Sequence, residues 1–117
     1  MDLRTTQRIG ALYRAVSEIA NATSHDLTLR QLLVLLSVGS RTTPSNQQQL
    51  SEEHDLLKST VSKIVANLAG QQGDVRRIEG MGMLSVTLDP SDLRNRQVTL
   101  SRMGEKVLAR AISAAFD

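Results

Sequence analysis

The run DPSDLRNRQVTLSRMG, residues 89 to 104, reads in order as a charged loop, a short strand and the first turn of a helix. Immediately upstream, MLSVTL (residues 83 to 88) alternates, with Leu84, Val86 and Leu88 on one face and Met83, Ser85 and Thr87 on the other, the period of a half-buried strand. Val98 and Leu100 repeat that pattern after the loop. The two strands are therefore expected to pair as a hairpin. Its loop, from about Asp89 to Arg96, would carry two arginines and two aspartates into solvent, and Pro90 lacks an amide donor and favours a turn there. Charged hairpin tips commonly do no more than keep a sheet edge soluble. A basic tip on a small hairpin also suits a nucleic-acid groove.

Upstream of the hairpin, two short helices are expected with a tight turn between them. Ser45 with Gln48 has capping-box spacing and opens a helix through about His54, anchored by Leu50. A second helix, from about Leu57 to Ala69, carries Val61, Ile64, Val65 and Leu68 at the steps of a buried stripe. This is the pattern of a helix-turn-helix. At about 100° per residue, the positions farthest from the stripe are Ser59, Ser62, Lys63 and Ala66, flanked by Lys58, Thr60 and Asn67. Small residues allow a helix axis to sink into a major groove, hydroxyls and Asn can bond base edges, and lysines can reach phosphate or guanine. The same residue types also make an ordinary solvated face, so this face gains its meaning from the basic hairpin that follows it.

The flanking helices are expected at about 3 to 22, 29 to 38 and 102 to 116. Ile9, Leu12, Val16 and Ile19 form a narrow stripe on the first, open to packing within the chain or to a seam between subunits. The second opens on a capping box, Thr28 with Gln31, and is so apolar that it is expected to be the buried axis, with Gly39 as its C-cap. The last carries Val107, Leu108, Ala111, Ile112, Ala115 and Phe116, too wide a face for a lone surface helix, and is expected to pack on the first helix or on a partner.

Composition narrows the classes. A chain of 117 residues makes one domain with a single core. It has no cysteine, which excludes a disulfide framework, a thiolate metal site and a cysteine redox sensor. One Tyr and one Phe are too few for base stacking on single strands. No apolar run is long enough for a membrane span or a signal peptide, so a cytoplasmic protein is expected. The net charge is +2, but residues 1 to 57 carry −1 and residues 58 to 117 carry +3, which places the basic excess with the proposed binding half. No catalytic group, cofactor site or metal site is expected. His25 and His54 lack ligand spacing, the glycines lack a phosphate-cradle setting, and Asp89 and Asp92 are expected to brace the loop arginines Arg94 and Arg96 rather than to act as paired acids.

Asp89, Pro90, Asp92, Arg94, Val98, Leu100, Ser101 and Gly104 stand where the MarR family of bacterial regulators carries its D-P-x-D-x-R-x-x-x-V-x-L-T-x-x-G pattern, with Ser101 in place of Thr. The chain resembles that family over about residues 5 to 112. The resemblance implies a mainly α fold with a small β-hairpin, a winged helix-turn-helix within a single domain 1–117, with the helix-turn-helix at about 46–69, the wing at about 83–100, and the terminal helices serving dimerisation. It implies a sequence-specific regulator of transcription, a dimeric repressor, bound to double-stranded DNA through Lys58, Ser59, Thr60, Ser62, Lys63, Ala66 and Asn67 and through the wing arginines Arg94 and Arg96. The alternatives are a winged-helix protein-interaction module without DNA binding, or an architectural DNA-binding protein of plasmid or phage replication or partition.

Three departures qualify the resemblance. The family often binds small aromatic effectors between its dimerisation and DNA-binding parts, but the aromatic-poor composition offers no visible pocket for such a ligand. GQQGDVRRIEGMG, residues 70 to 82, is longer than the family's link from recognition helix to strand by on the order of ten residues. The extra residues fall either inside the hairpin, if Gly73 to Arg77 is the lead-in to the wing, or ahead of it, if Gly82 to Leu84 is. Val75 to Glu79 would then be open to forming a further strand, with Arg76 and Arg77 as phosphate contacts. Finally, relatives usually continue into another C-terminal helix, so a smaller or differently built dimer interface is expected.

Overall fold

Side-chain caps set where the helices begin. In the computed structural model, which describes residues 1–24, 26–70 and 81–117, with residues 93 and 94 for their backbone alone, five helices and three strands form. Helix α1 (Leu3–Ala22) starts where the Asp2 carboxylate accepts the Thr5 N–H at 2.7 Å. Helix α2 (Leu29–Gly39) starts on the expected Thr28–Gln31 box, closed in both directions at 2.9 and 3.1 Å. Strand β1 (Ser45–Asn46) leads directly into α3 (Gln47–His54), and α4 (Lys58–Ala69), β2 (Leu84–Asp89), β3 (Asp92–Leu100) and α5 (Arg102–Phe116) follow.

The box on α3 is one residue later than expected. Asn46 and Gln49 exchange the bonds at 3.0 and 2.8 Å, because Ser45 is buried in β1 opposite Val98, where its hydroxyl accepts from Arg41 at 3.2 Å. Strand β1 itself was not anticipated, since two residues cannot display a period. It makes the sheet three-stranded and antiparallel, in the order β1-β3-β2.

The wing differs from expectation in its tip. Strands β2 and β3 run in register from Leu84 opposite Leu100 to Leu88 opposite Arg96, shift at Leu88–Asp89, and leave only Pro90 and Ser91 between them. The turn is short because Asp89 closes it, accepting the Ser91 N–H at 2.9 Å and the Ser91 hydroxyl at 2.7 Å, with a longer bond from Asn95 at 3.5 Å. The Ser91 bonds hold the Asp89 carboxyl below its usual range. Asp89 is thus the clasp of the turn, its expected bracing of Arg94 lies outside the described residues, and Asp92 to Arg96 belong to the strand rather than to a loop.

The core lies between α2, α3, α4 and the sheet, with Val34, Leu35, Leu50, Val61 and Leu68 essentially without exposure. Helix α2 is not the fully buried axis expected of it. Val34, Leu35 and Val38 face inward, whereas Leu29, Leu33 and Leu36 are exposed. Gly39 is its last helical residue and Ser40 its cap. A Cβ at Gly39 would come within 2.8 Å of the Leu108 side chain, so that glycine serves the approach of α5. Helix α5 packs along α1, as the width of its apolar face demanded. With extents of 51 × 30 × 23 Å and a radius of gyration of 15.3 Å, the chain is longer than the roughly 13–14 Å radius of a compact domain of this size.

Met83, expected on the outer face of the first wing strand, instead precedes β2 and has no exposure. Its N–H donates to the Leu68 carbonyl at 2.7 Å and its own carbonyl accepts the Ser101 N–H at 3.0 Å. The Ser101 hydroxyl donates to the Gly82 carbonyl at 2.6 Å while accepting the Gly104 N–H at 2.9 Å, capping α5. A Cβ on Gly104 would lie 2.1 Å from the Met83 oxygen. Ala in place of Gly within a helix ordinarily stabilises by up to about 1 kcal/mol. Here Gly104→Ala should instead cost about 1–3 kcal/mol through backbone displacement, read as a lower midpoint in urea unfolding. An unchanged or raised midpoint would mean the junction yields freely.

Candidate nucleic-acid interface

The turn between α3 and α4 needs one left-handed residue, supplied by Asp55 at φ 52°, a conformation Asp tolerates better than most. The Leu56 N–H donates to the Ser51 carbonyl at 3.0 Å and the Ser51 hydroxyl to the Leu56 carbonyl at 2.5 Å, so both backbone groups of the turn are used. Helix α4 then buries Val61, Ile64, Val65 and Leu68 as expected, together with Ala69. Its outward face carries Lys58, Ser59, Lys63, Ala66 and Asn67, all exposed. Thr60 and Ser62 are half-buried on the flanks. Ser62, expected near the centre of the outward face, turns towards α3, where its hydroxyl accepts from the side-chain amide of Gln47 at 2.9 Å. Gln47 carries no periodic signal in a run of three glutamines, and only the fold brings it to α4.

A polar brace that periodicity could not reveal locks α3 against α2. The Arg41 guanidinium donates to the Ser37 hydroxyl at 2.8 Å and to Ser45, and pairs with the Glu53 carboxylate, whose other oxygen accepts from Ser37 at 2.6 Å. The brace thus joins the end of α2, strand β1 and the end of α3. Being partly exposed, the pair adds orientation more than stability.

In the wing, Arg96 is exposed on β3 opposite Leu88. Arg94 lies on the same strand, and its side chain is outside the described residues. Of the two placements of the extra segment, the structure selects the one ahead of the hairpin. Gly70 caps α4, and the chain returns at Met81, whose N–H donates to the Asn67 carbonyl at 2.9 Å, before Gly82 leads into the wing. The suggested strand at Val75 to Glu79, Arg76, Arg77 and His25 lie outside the described residues.

A cleft of roughly 1080 Å³ opens between α1, α2 and α5, lined by Leu12, Val16, Leu36, Ile112 and Phe116 with Arg4 and Arg8 at its rim. It corrects the expectation that an aromatic-poor chain has no pocket, because aliphatic side chains together with Phe116 make this one. Among the described residues no three His, Cys, Asp or Glu side chains gather as a metal site, and no helix is long and apolar enough to cross a membrane.

Neither a family sequence model nor a curated protein sequence matches the chain. Its fold, however, is shared with solved transcriptional regulators. Tm0710 from Thermotoga maritima superposes with a TM-score of 0.69 at 22% identity, over 92% of this chain and 66% of that one, so the chain spans about two thirds of that regulator's length. MepR of S. aureus, solved as a DNA complex, gives 0.65 at 18% identity over 87% and 73%. MarR of E. coli gives 0.62 at 14% identity over 98% and 75%. The chain has the MarR-like winged-helix fold.

His54, at the end of α3, is largely buried, and its Nε2 has no hydrogen-bond partner, lying 3.6 Å from Glu53. Burial, then the positive charges of Arg41 and Arg30, push its pKa below the ordinary 6.5. The folded state therefore favours the neutral ring. The unfolded chain takes up a proton at higher pH than the folded one, so this contribution is complete above about pH 6.5 and is lost as pH falls through the lowered folded value. The melting temperature should fall between pH 7 and pH 5 less steeply in His54→Gln than in the wild type. Equal slopes would exclude His54 as the titrating group.

Proposed function

We propose that this chain is a MarR-like transcription regulator that binds double-stranded DNA as a homodimer and acts as a repressor. The observation that carries the reading is the outward face of α4, short and cationic side chains left exposed on a helix whose other face is fully used, held beside a hairpin by the backbone bonds of Met83. A helix in that position enters a major groove with its N-terminal half leading, and the hairpin follows the adjacent backbone or minor groove. In this reading Lys58 and Lys63 meet phosphate or guanine, Ser59, Thr60, Ser62 and Asn67 address base edges, Ala66 lets the helix approach closely, and Arg94 and Arg96 act from the wing. The MepR DNA complex supports the reading by its shared fold.

The dimer rests on a separate observation. Ile9 and Leu12 of α1 and Ile112 and Phe116 of α5 remain at least half exposed after α1 and α5 have packed on each other. A second copy related by a two-fold axis covers them and presents two α4 helices to one side of the duplex, for half-sites about ten base pairs apart. The chemistry of the outward face gives no reason to invoke catalysis.

A gel shift with the promoter region adjoining the chain's own gene, in the presence of nonspecific competitor, tests the central claim. Lys63→Glu should abolish the shift at unchanged melting temperature, and Arg94→Ala should weaken it by about 1–3 kcal/mol. Wild-type affinity in both variants would sink the interface. In sedimentation at micromolar concentration, the wild type should run as a dimer and Leu12→Glu or Ile112→Glu as a monomer. A monomeric wild type that still bound with full specificity would remove the dimer from the account.

A further inference from the structure

We infer that Gln47 is a positioning residue that biases Ser62 towards donating its hydroxyl proton outward, and so biases the class of base edge that α4 accepts at one operator position. The inference rests on the DNA-binding reading above and deepens it. A serine hydroxyl can donate once and accept twice, so by itself it accommodates any base edge. In this chain that freedom is narrowed. The Gln47 side-chain amide, on the first turn of α3, donates to the Ser62 oxygen at 2.9 Å across the helix-turn-helix, in a half-buried setting. With the amide as donor, one of the two acceptor sites is filled and the hydroxyl proton points away from Gln47, and accepting that bond strengthens the hydroxyl as a donor to an outward partner.

Gln47 is itself held in place from three directions. It follows the Asn46–Gln49 box that fixes the start of α3, it adjoins β1, whose pairing with β3 fixes the strand's register, and α3 is tied to α2 through the Arg41–Glu53 pair. Gln47 therefore presents its amide from a rigid base, which is what orienting a second residue requires.

A serine that donates is matched by an acceptor. In the major groove guanine offers N7 and O6, adenine N7 and thymine O4, whereas cytosine offers only its N4 amino donor. Cytosine, whose N4 amino group can use only the one acceptor site left on Ser62, is thus the least favourable partner. Reversing the polarity of the residue at position 47 should reverse the choice. In Gln47→Glu the carboxylate can only accept, so the serine proton turns inward to it and the serine oxygen faces outward as an acceptor for cytosine N4 or adenine N6. Gln47→Met keeps the size of the side chain, removes both polarities and leaves the hydroxyl free to rotate.

The test selects binding duplexes from a random-sequence DNA pool with the full wild-type chain, then measures competition by all four base pairs at each position of the enriched site for the wild type, Gln47→Met, Gln47→Glu and Ser62→Ala. Melting temperatures accompany each variant, and Glu is well tolerated on the first turn of a helix. The wild type should disfavour cytosine at one position by about threefold, the lower end of the worth of one hydrogen bond. Ser62→Ala and Gln47→Met should both flatten the preference at that position alone, and Gln47→Glu should move it towards cytosine or adenine. The added charge of Gln47→Glu also weakens binding to every sequence alike, which leaves the profile of preferences readable. If the Gln47 variants bind more weakly but keep the wild-type profile, Gln47 is only a structural tie and the inference is overturned. If the wild type enriches no sequence, the DNA-binding reading itself falls, and this inference with it.

Discussion

The arrangement of α4 and the wing depends on the backbone of Met83. A residue buried without exposure can keep its N–H and C=O only if both are bonded, and Met83 spends them on different elements, Leu68 at the end of α4 and Ser101 at the start of α5. Ser101 adds its hydroxyl to the Gly82 carbonyl and to the α5 amide of Gly104, whose missing side chain lets the two segments meet. Helix α4, the strand that follows it and the helix that leads to the far end of the molecule are thereby joined at one point. The wing cannot swing relative to α4 without breaking bonds that have no water to replace them.

Much of this was legible before the fold was known, where a signal repeats. The stripe of Val61, Ile64, Val65 and Leu68, the Thr28 box and the alternation of Val98 with Leu100 are periodic or reciprocal patterns, and each is found where it was expected. The wing residues from Asp89 to Gly104 carried the resemblance that the shared fold bears out. What escaped notice was set by contacts distant in sequence. Strand β1 exists because Ser45 and Asn46 meet β3, and that pairing displaced the α3 box by one residue. Met83 reads as one step of an alternation and is in fact the last residue before it. The exposure of Leu29, Leu33 and Leu36 follows from how α2 faces the core, which its own composition could not disclose. Gln47 and Ser62 are fifteen positions apart, beyond any helical spacing.

The two ends of the molecule differ in chemistry. Around α4 and the wing the exposed side chains are mostly short, polar or cationic, with Leu57 and Leu88 as large apolar ones among the described residues. Along α1 and α5 large apolar residues remain open beside a cleft, and Arg14 uses its guanidinium to hold the Ala114 carbonyl of α5 at 3.1 Å. A polar end and an open apolar end give the proposed dimeric reader a separate surface for each of its two contacts. The modest net charge of +2 is no obstacle to it, because the field that guides association is set by where the charges lie.

The return of the chain to the end of α4 also bears on how such a protein can change. Gly70 leaves the helix and Met81 comes back to bond Asn67, so departure and arrival are neighbours in space. A connection whose ends are already together adds little closure entropy when it lengthens, about 0.6 kcal/mol for each doubling. Added length between these two points therefore costs the fold little, which makes it a place where a guest peptide or a second small domain can be grafted without disturbing the register of the wing.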